Sequence, residues 1–331
     1  MKGKSKKIFV TGAEGFIGSH LVEKLVENGF NVKALVQYNS FSSYGWLDSS
    51  KVINDIEIEL GDIRDLPNMK NLMKGSDIVA HLASLIAIPY SYKAPSSYVD
   101  NNVNGTLNIM QAALENDIEK IIHISTSEVY GSAKYVPIDE EHPLQAQSPY
   151  SASKIGADAI AFSFYKSFDL PLTIGRPFNT YGPRQSSRAV IPTIISQLLQ
   201  GKKNIYLGSL EPIRDFNYVI DTCNGIISLI TCSSNIFGET FNIGSGIGVN
   251  IKEVVDIISD IINIKPNIKC DKKRIRPEGS EVDRLVCNNN KIKNLVGFSH
   301  SYSLKTGLSN TIKWMSHPKN LELYKTNIYN V

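Results

Sequence analysis

Apolar residues in the first half of the chain recur in two rhythms. Short apolar runs at Lys7–Thr11, 32–36, 56–60, Ile78–His81, 120–125 and 172–176 predict strands buried on both faces. Between the runs, apolar positions return every third or fourth residue, as at Ile17, Leu21, Val22, Leu25 and Val26. That spacing predicts helices with one apolar face. Strands and helices in alternation predict an α/β fold on a doubly wound parallel sheet. Two longer helical patterns, at about 97–114 and 150–168, are rich in apolar residues.

Beyond Arg176 the alternation becomes irregular. Residues 1–178 are expected to form the main domain, together with about 217–246, where 219–230 and 239–243 return to the sheet. About 179–216 and 247–331 are expected to form a smaller domain that holds the substrate. There is no internal repeat, low-complexity tract or long linker. Ligands of such sheets bind beyond the C-terminal ends of the strands, and the active site is expected there.

The first strand runs straight into Gly12, Gly15 and Gly18, and a helix follows. Gly12 permits a tight turn, Gly15 lets the backbone approach a pyrophosphate, and Gly18 allows helix and strand to pack closely. Unpaired N–H groups at the helix start, around Phe16 and Ile17, favour an anion. The segment is therefore expected to bind a dinucleotide on a Rossmann-type sheet.

Which dinucleotide turns on the end of the second strand. An acid there suits the ribose of NAD, and a nearby arginine suits NADP. Gln37, Tyr38, Asn39 and Ser40 occupy it, so neither signature is present. The lack of arginine points to NAD, with NADP left open.

Tyr150 and Lys154 stand four residues apart, on one face of a helix. A lysine held there favours the tyrosinate, because a nearby positive charge stabilises an ionised acid. A tyrosine titrating near ~10 must be perturbed in this way to act as a base near neutrality. Upstream lies Thr126-Ser127-Glu128. Glu128, two residues after Thr126, falls on the same side of an extended strand end.

In their order and spacing these motifs resemble the extended short-chain dehydrogenase/reductase family of nucleotide-sugar enzymes, over nearly the whole chain. The resemblance includes Gly61-Asp62 with Ile63, taken as the adenine contact, and His81-Leu82-Ala83 with Ser84 at the end of the fourth strand. It continues through Asn102-Val103-Asn104-Gly105-Thr106, Arg176-Pro177-Phe178-Asn179 and Tyr181-Gly182-Pro183-Arg184, and ends with Arg214-Asp215-Phe216 and Arg276-Pro277. It implies that Asp62, Ile63, Leu82, Ala83, Ser84 and Asn102 join the glycine turn, Tyr150 and Lys154 around the cofactor. It also implies a homodimer through the helices near 97–114 and 150–168.

For the chemistry, the resemblance implies that Tyr150 takes the proton of a sugar 4-hydroxyl as C4 is oxidised, with Thr126 bonding the same hydroxyl. The C5 hydrogen of the 4-keto sugar is then acidic, and Glu128 is the candidate to remove it. Most 4,6-dehydratases of the family carry Thr-Asp-Glu, in which the aspartate protonates the departing 6-hydroxyl. Here Ser127 stands in its place, so Glu128 serves both steps, or Ser127 or a water assists. Thr-Ser-Glu resembles GDP-mannose 4,6-dehydratases and also UDP-glucuronate decarboxylases, while epimerases usually lack the carboxylate. Inverting dehydratases carry lysine after the aspartate, and glutamate here favours retention at C5.

Two loop segments narrow the resemblance. They are 37–48, with Phe41, Tyr44 and Trp46 among serines and a glycine, and 86–92, with Pro89, Tyr90 and Ser91. Both are similar to the 4,6-dehydratases of legionaminic-acid and related pathways, which act on nucleotide-linked N-acetylglucosamine. Such loops suit a lid or a sugar-binding surface. Arg184, Arg214 and Arg276 are candidates for the substrate diphosphate, since arginine's planar fork suits phosphate oxygens. Glu281 resembles the acid that contacts the nucleotide ribose, and Asn179 completes the candidate substrate set.

The leading expectation is an NAD-dependent 4,6-dehydratase of UDP-N-acetylglucosamine, with the GDP sugar left open. Its rivals are a UDP-glucuronate decarboxylase, for which Arg184 would hold the carboxylate, a 4-epimerase, and a non-catalytic dinucleotide sensor.

Bulk properties exclude other classes. An apolar content of 42% over 331 residues is ordinary for a globular protein. A net charge of +3 gives no argument for nucleic acid. Lys2, Lys4, Lys6 and Lys7 read as a solvated tail. No run of 18 apolar residues predicts a membrane span, and no signal peptide is visible. The cysteines, Cys223, Cys232, Cys270 and Cys287, lack metal-site spacing, so no metal is expected. They read as the reduced thiols of a cytoplasmic protein.

Overall fold

Successive residues along the inner strands face opposite sides of a central sheet, and both sides are apolar. Along β1 (Lys7–Thr11), Ile8 and Val10 join one buried cluster and Phe9 the other. Ile78 and Ala80 against Val79 do the same in β4 (Ile78–His81). A strand buried on both faces needs helices on both faces, which is the layered arrangement found. The computed structural model describes residues 5–326 and 328; Lys2 and Lys4 lie outside them. Lys6 pairs with Glu119, and Lys7 opens β1 and pairs with Glu57 at 2.8 Å, so neither is part of a free tail.

Among the described residues the main sheet has seven parallel strands, in the order β10-β6-β5-β4-β1-β2-β3. The others are β2 (Asn31–Val36), β3 (Glu57–Leu60), β5 (Lys120–Ile124), β6 (Leu172–Pro177) and β10 (Thr240–Ile243). The order reverses beside β1, and ligands of doubly wound sheets bind at such a switch point. Residues 240–243 join the sheet as expected, alongside β6. Residues 219–230 do not. They lie in the helix Val219–Thr231, which packs on helix α1 (Phe16–Glu27), because their apolar positions follow helical spacing.

Smaller sheets come from the second half of the chain. β7 (Asn179–Tyr181), β11 (Gly248–Asn250) and β13 (Arg284–Leu285) gather around β9 (Ile213–Tyr218), and β8 (Asn204–Leu207) pairs with β12 (Asn267–Cys270). The pattern at 97–114 is one helical run with a π segment, Val99–Asn104, between the turn Pro95–Tyr98 and the helix Gly105–Glu115. It packs against the helix Pro149–Phe168, which carries Tyr150. Among the described residues no helix is long and apolar enough to cross a membrane.

Candidate active site

A cavity of about 680 Å³ opens where the strands end, a size suited to small ligands and cofactors. The glycine turn forms one wall. Gly12 has φ +67°, and a Cβ there would lie 2.9 Å from the backbone of Ala83. A Cβ on Gly18 would lie 2.0 Å from the Gly12 carbonyl oxygen, so α1 seats on β1 only through a glycine. No side chain caps the start of α1, so its first N–H groups are left for a ligand. The turn therefore fits a dinucleotide pyrophosphate.

Thr11 and His81 lock the ends of β1 and β4 together. Thr11 Oγ1 accepts the N–H groups of Leu82 and Ala83, each at 3.1 Å, and bonds His81 Nδ1 at 2.8 Å. Gly15, Phe16, Ile17, Gln37, Asp62, Ile63, Leu82, Ala83 and Ser84, all expected around the cofactor, line the cavity.

Some predicted residues do not reach it. Asn102 is buried, accepts the Leu85 N–H at 2.8 Å and donates to Ser153 Oγ at 2.9 Å. It fixes the loop after β4 from behind. Ser40 is exposed, and Asn39 shapes its own loop by accepting the Phe41 N–H at 3.1 Å.

The 37–48 loop lies against the glycine turn, with Trp46 N–H donating to the Glu14 carbonyl at 3.1 Å. Trp46 also meets Trp314 edge-on at 5.7 Å. Trp46 thus packs at the dinucleotide end of the cavity, while Phe41 is exposed.

The second wall comes from β5 and the helix Pro149–Phe168. Thr126, Ser127, Glu128 and Tyr150 line it side by side. Thr126 caps a short turn, and its Oγ1 accepts the Glu128 N–H at 3.2 Å while bonding the Tyr150 phenol. Pro149 at the helix start and a Ser148–Ser151 capping box fix where the helix begins, and with it Tyr150.

Burial raises the Tyr150 phenol above its usual value, against the Thr126 hydrogen bond, and the Glu128 charge adds to the rise. Lys154 is also buried and does not line the cavity; its ammonium donates to the Ile124 carbonyl at 2.9 Å. Burial lowers it to about 8, against the charge of Asp158. The expected pull of Lys154 on Tyr150 is therefore not the leading influence here, because the ammonium is turned to the strand.

The third wall carries the positive charge. Arg188, Arg214, Arg274 and Arg276 line it with Asn179 and Glu281. Arg276 Nη1 stands 3.7 Å from Glu128 Oε2, and Arg214 Nη2 donates to Glu281 Oε1 at 3.3 Å. The Asn179 Oδ1 atom is buried without a partner.

Arg184 is a correction. It adopts φ +70°, and its guanidinium bonds Ser19 Oγ at 3.1 Å and Glu23 Oε1 at 2.8 Å on α1. Held there, the side chain does not line the cavity. Pro89 lines the cavity, whereas Tyr90 packs at 6.2 Å from Tyr98, and Ser91 is buried and donates to the Ile88 carbonyl at 2.7 Å.

The sequence reading missed Glu14, Gln185, Arg188 and Arg274 as wall residues. Arg274 closes a basic run, Lys272–Arg274, which was a usable signal. Nothing in the pattern marks Arg188 over Arg184. Among the described residues no group of three acidic, histidine or cysteine side chains is placed to hold a metal.

Comparison with known proteins adds to this geometry. A family model described as GDP-mannose 4,6 dehydratase matches residues 9–311. A putative UDP-glucose 4-epimerase of Methanocaldococcus jannaschii is 32% identical over 315 residues, covering 94% of this chain and 98% of its own length. A dTDP-glucose 4,6-dehydratase of Actinoplanes is 29% identical, covering 93% of this chain and 97% of its own. Among solved structures, the dTDP-glucose 4,6-dehydratase DesIV of Streptomyces venezuelae, with NAD bound, superposes with a TM-score of 0.86 at 28% identity. That superposition covers 95% of this chain and 98% of DesIV.

Proposed function

Because the chain belongs to the GDP-mannose 4,6 dehydratase family of extended short-chain dehydrogenases/reductases, we propose that it is an NAD-dependent nucleotide-sugar 4,6-dehydratase. We take its substrate to be a nucleotide-linked N-acetylglucosamine, the UDP sugar before the GDP sugar. The observation that carries the reading is the Glu128 carboxylate on the same cavity wall as Thr126 and Tyr150. An epimerase has no use for a base at C5, and a dehydratase requires one.

NAD fits the glycine turn and, when bound, supplies a hydride acceptor and a positive charge. Tyr150 takes the proton of the 4-hydroxyl, with Thr126 holding that oxygen in line. Lys154 lies one turn further along the same helix, buried, with its ammonium on the Ile124 carbonyl. Glu128 then removes the C5 proton of the 4-keto sugar. The same proton leaves Glu128 for the 6-hydroxyl, which departs as water with Ser127 beside it. The hydride taken from C4 would then return to C6, Glu128 would pass a solvent proton to C5, and Tyr150 would release the 4-hydroxyl proton to solvent. Arg214 and Arg276 hold the diphosphate, Glu281 the nucleotide ribose, and Asn179 and Pro89 the sugar.

The decarboxylase reading relied on Arg184 for the hexuronate carboxylate, and that side chain is held on α1. A 4-epimerase remains the second reading, favoured by the relative from Methanocaldococcus jannaschii. We also read the helical run at 95–115 and the helix Pro149–Phe168 as the face of a homodimer, since Val99, Leu114, Phe162 and Phe168 are exposed there.

Incubation with UDP-N-acetylglucosamine and, separately, its GDP analogue tests the proposal. The expected product has lost one water, with no net NADH. An isomer of unchanged mass would establish the epimerase instead, and release of carbon dioxide from UDP-glucuronate the decarboxylase.

A further inference from the structure

The end of β2 is where an acid receives the two hydroxyls of an adenosine ribose, and this chain has Gln37 there. An acid reaches the same place from another element. Glu14 sits inside the glycine turn, and its Oε1 accepts the Gln37 N–H at 3.1 Å. Its Oε2 is buried and has no hydrogen-bond partner. A buried carboxylate oxygen left without a donor is costly. Glu14 and Gln37 line the main cavity together with Gly15 and Asp62, and both also line a recess with Asn39 and Ser43.

The 37–48 loop is built onto this glutamate. Gly45 has φ +58°, and a Cβ there would stand 2.8 Å from the Glu14 carbonyl oxygen and 3.0 Å from its Cβ. Only glycine lets the loop close so tightly, and Trp46 N–H then binds the Glu14 carbonyl. The position of Glu14 is therefore held from both sides, by the end of β2 and by the loop that follows it.

We propose that Glu14 receives the adenosine ribose in place of the missing acid on β2 and selects NAD against NADP, an inference that rests on the NAD reading above. A ribose hydroxyl is a donor that satisfies Oε2. In NADP the 2′-hydroxyl is replaced by a phosphate, which removes that donor and sets like charges together. Among the described residues the arginines on the cavity wall, at 188, 214, 274 and 276, come from the far half of the chain, and no lysine or arginine lines the recess. Arg64, two residues after Asp62, gives its guanidinium to that carboxylate, with Nε at 2.9 Å and Nη2 at 2.5 Å.

The test is calorimetric titration of nucleotide-freed protein with NAD and with NADP, for the parent, Glu14→Gln and Glu14→Ala. The parent is expected to bind NAD more tightly. Loss of one charge-assisted hydrogen bond should weaken NAD by about ten- to a hundredfold in Glu14→Gln, and NADP should gain as the repulsion goes. Should Glu14→Gln fail to fold, Glu14→Ala makes the same comparison, with thermal melting as the check on both. An unchanged NAD-to-NADP ratio in a folded variant overturns the role of Glu14 alone. A parent protein that prefers NADP, or binds neither, overturns the cofactor reading on which it rests.

Discussion

Thr126, Glu128 and Tyr150 divide two proton transfers between them, and single substitutions separate the two. Tyr150→Phe keeps the buried ring and removes the oxygen bonded to Thr126. Turnover is expected to fall about 10²- to 10⁴-fold, with NAD binding retained because the glycine turn is untouched. Steady-state kinetics beside calorimetry check this, and near-normal turnover would take Tyr150 out of the mechanism. Glu128→Gln is nearly isosteric but accepts no proton. It should still oxidise C4 and show a transient NADH absorbance, while releasing almost no dehydrated product and exchanging little C5 hydrogen with deuterated solvent. Exchange at the parent rate would make Glu128 a bystander. At this scale the sequence revealed residue types better than directions. Arg184 and Arg188 look alike in the chain, and only the fold puts one on Ser19 and Glu23 of α1 and the other on the cavity wall.

Elements place these residues through a polar network behind the cavity. Tyr150, Lys154 and Asp158 follow one another at helical spacing in Pro149–Phe168. Asp158 binds both neighbouring strands: Oδ1 pairs with His123 Nε2 at 3.2 Å, and Oδ2 accepts from Ser125 Oγ at 2.9 Å and Arg176 Nη2 at 3.0 Å. Burial on its own would raise the Asp158 carboxyl. The His123 hydrogen bond and the charge of Arg176 outweigh it and hold the group at about 2. An unfolded aspartate titrates near ~3.9. A depressed folded value stabilises the protein above the unfolded value, and that stability is lost as pH falls from about 4 toward 2. Asp158→Asn should cost about 3–5 kcal/mol at pH 7, as for other broken buried pairs, and the gap should narrow across that acid window. Denaturant melts at pH 7 and at pH 2 to 4 measure it; a gap independent of pH would refute the linkage. Strands buried on both faces were legible because their apolar runs are short and bounded. The π segment Val99–Asn104 was not, since one extra residue per turn leaves the apolar pattern helical. The partners of Asp158 were not legible either, because they lie on two strands, one on each side of its helix in the chain.

For the whole molecule, the exposed apolar residues on two adjoining helices carry the assembly prediction. Light scattering is expected to give twice the mass of one chain. Val99→Glu combined with Phe162→Glu should give a folded monomer, because both side chains are exposed in the single chain; a dimer that persists would place the interface elsewhere. The topology of the sheet has a different consequence, for the order in which the protein can be made. Strands β1 to β6 are complete by Pro177, yet β6 keeps a bare edge until residues 240–243 lie down beside it as β10. A chain emerging from the ribosome thus carries its glycine turn and Tyr150 well before it has Arg214 or Arg276, and meanwhile offers an open strand to any neighbour. A gene cut at residue 178 would make that exposure permanent. Such a fragment would be a template for aggregation rather than a minimal dinucleotide-binding unit.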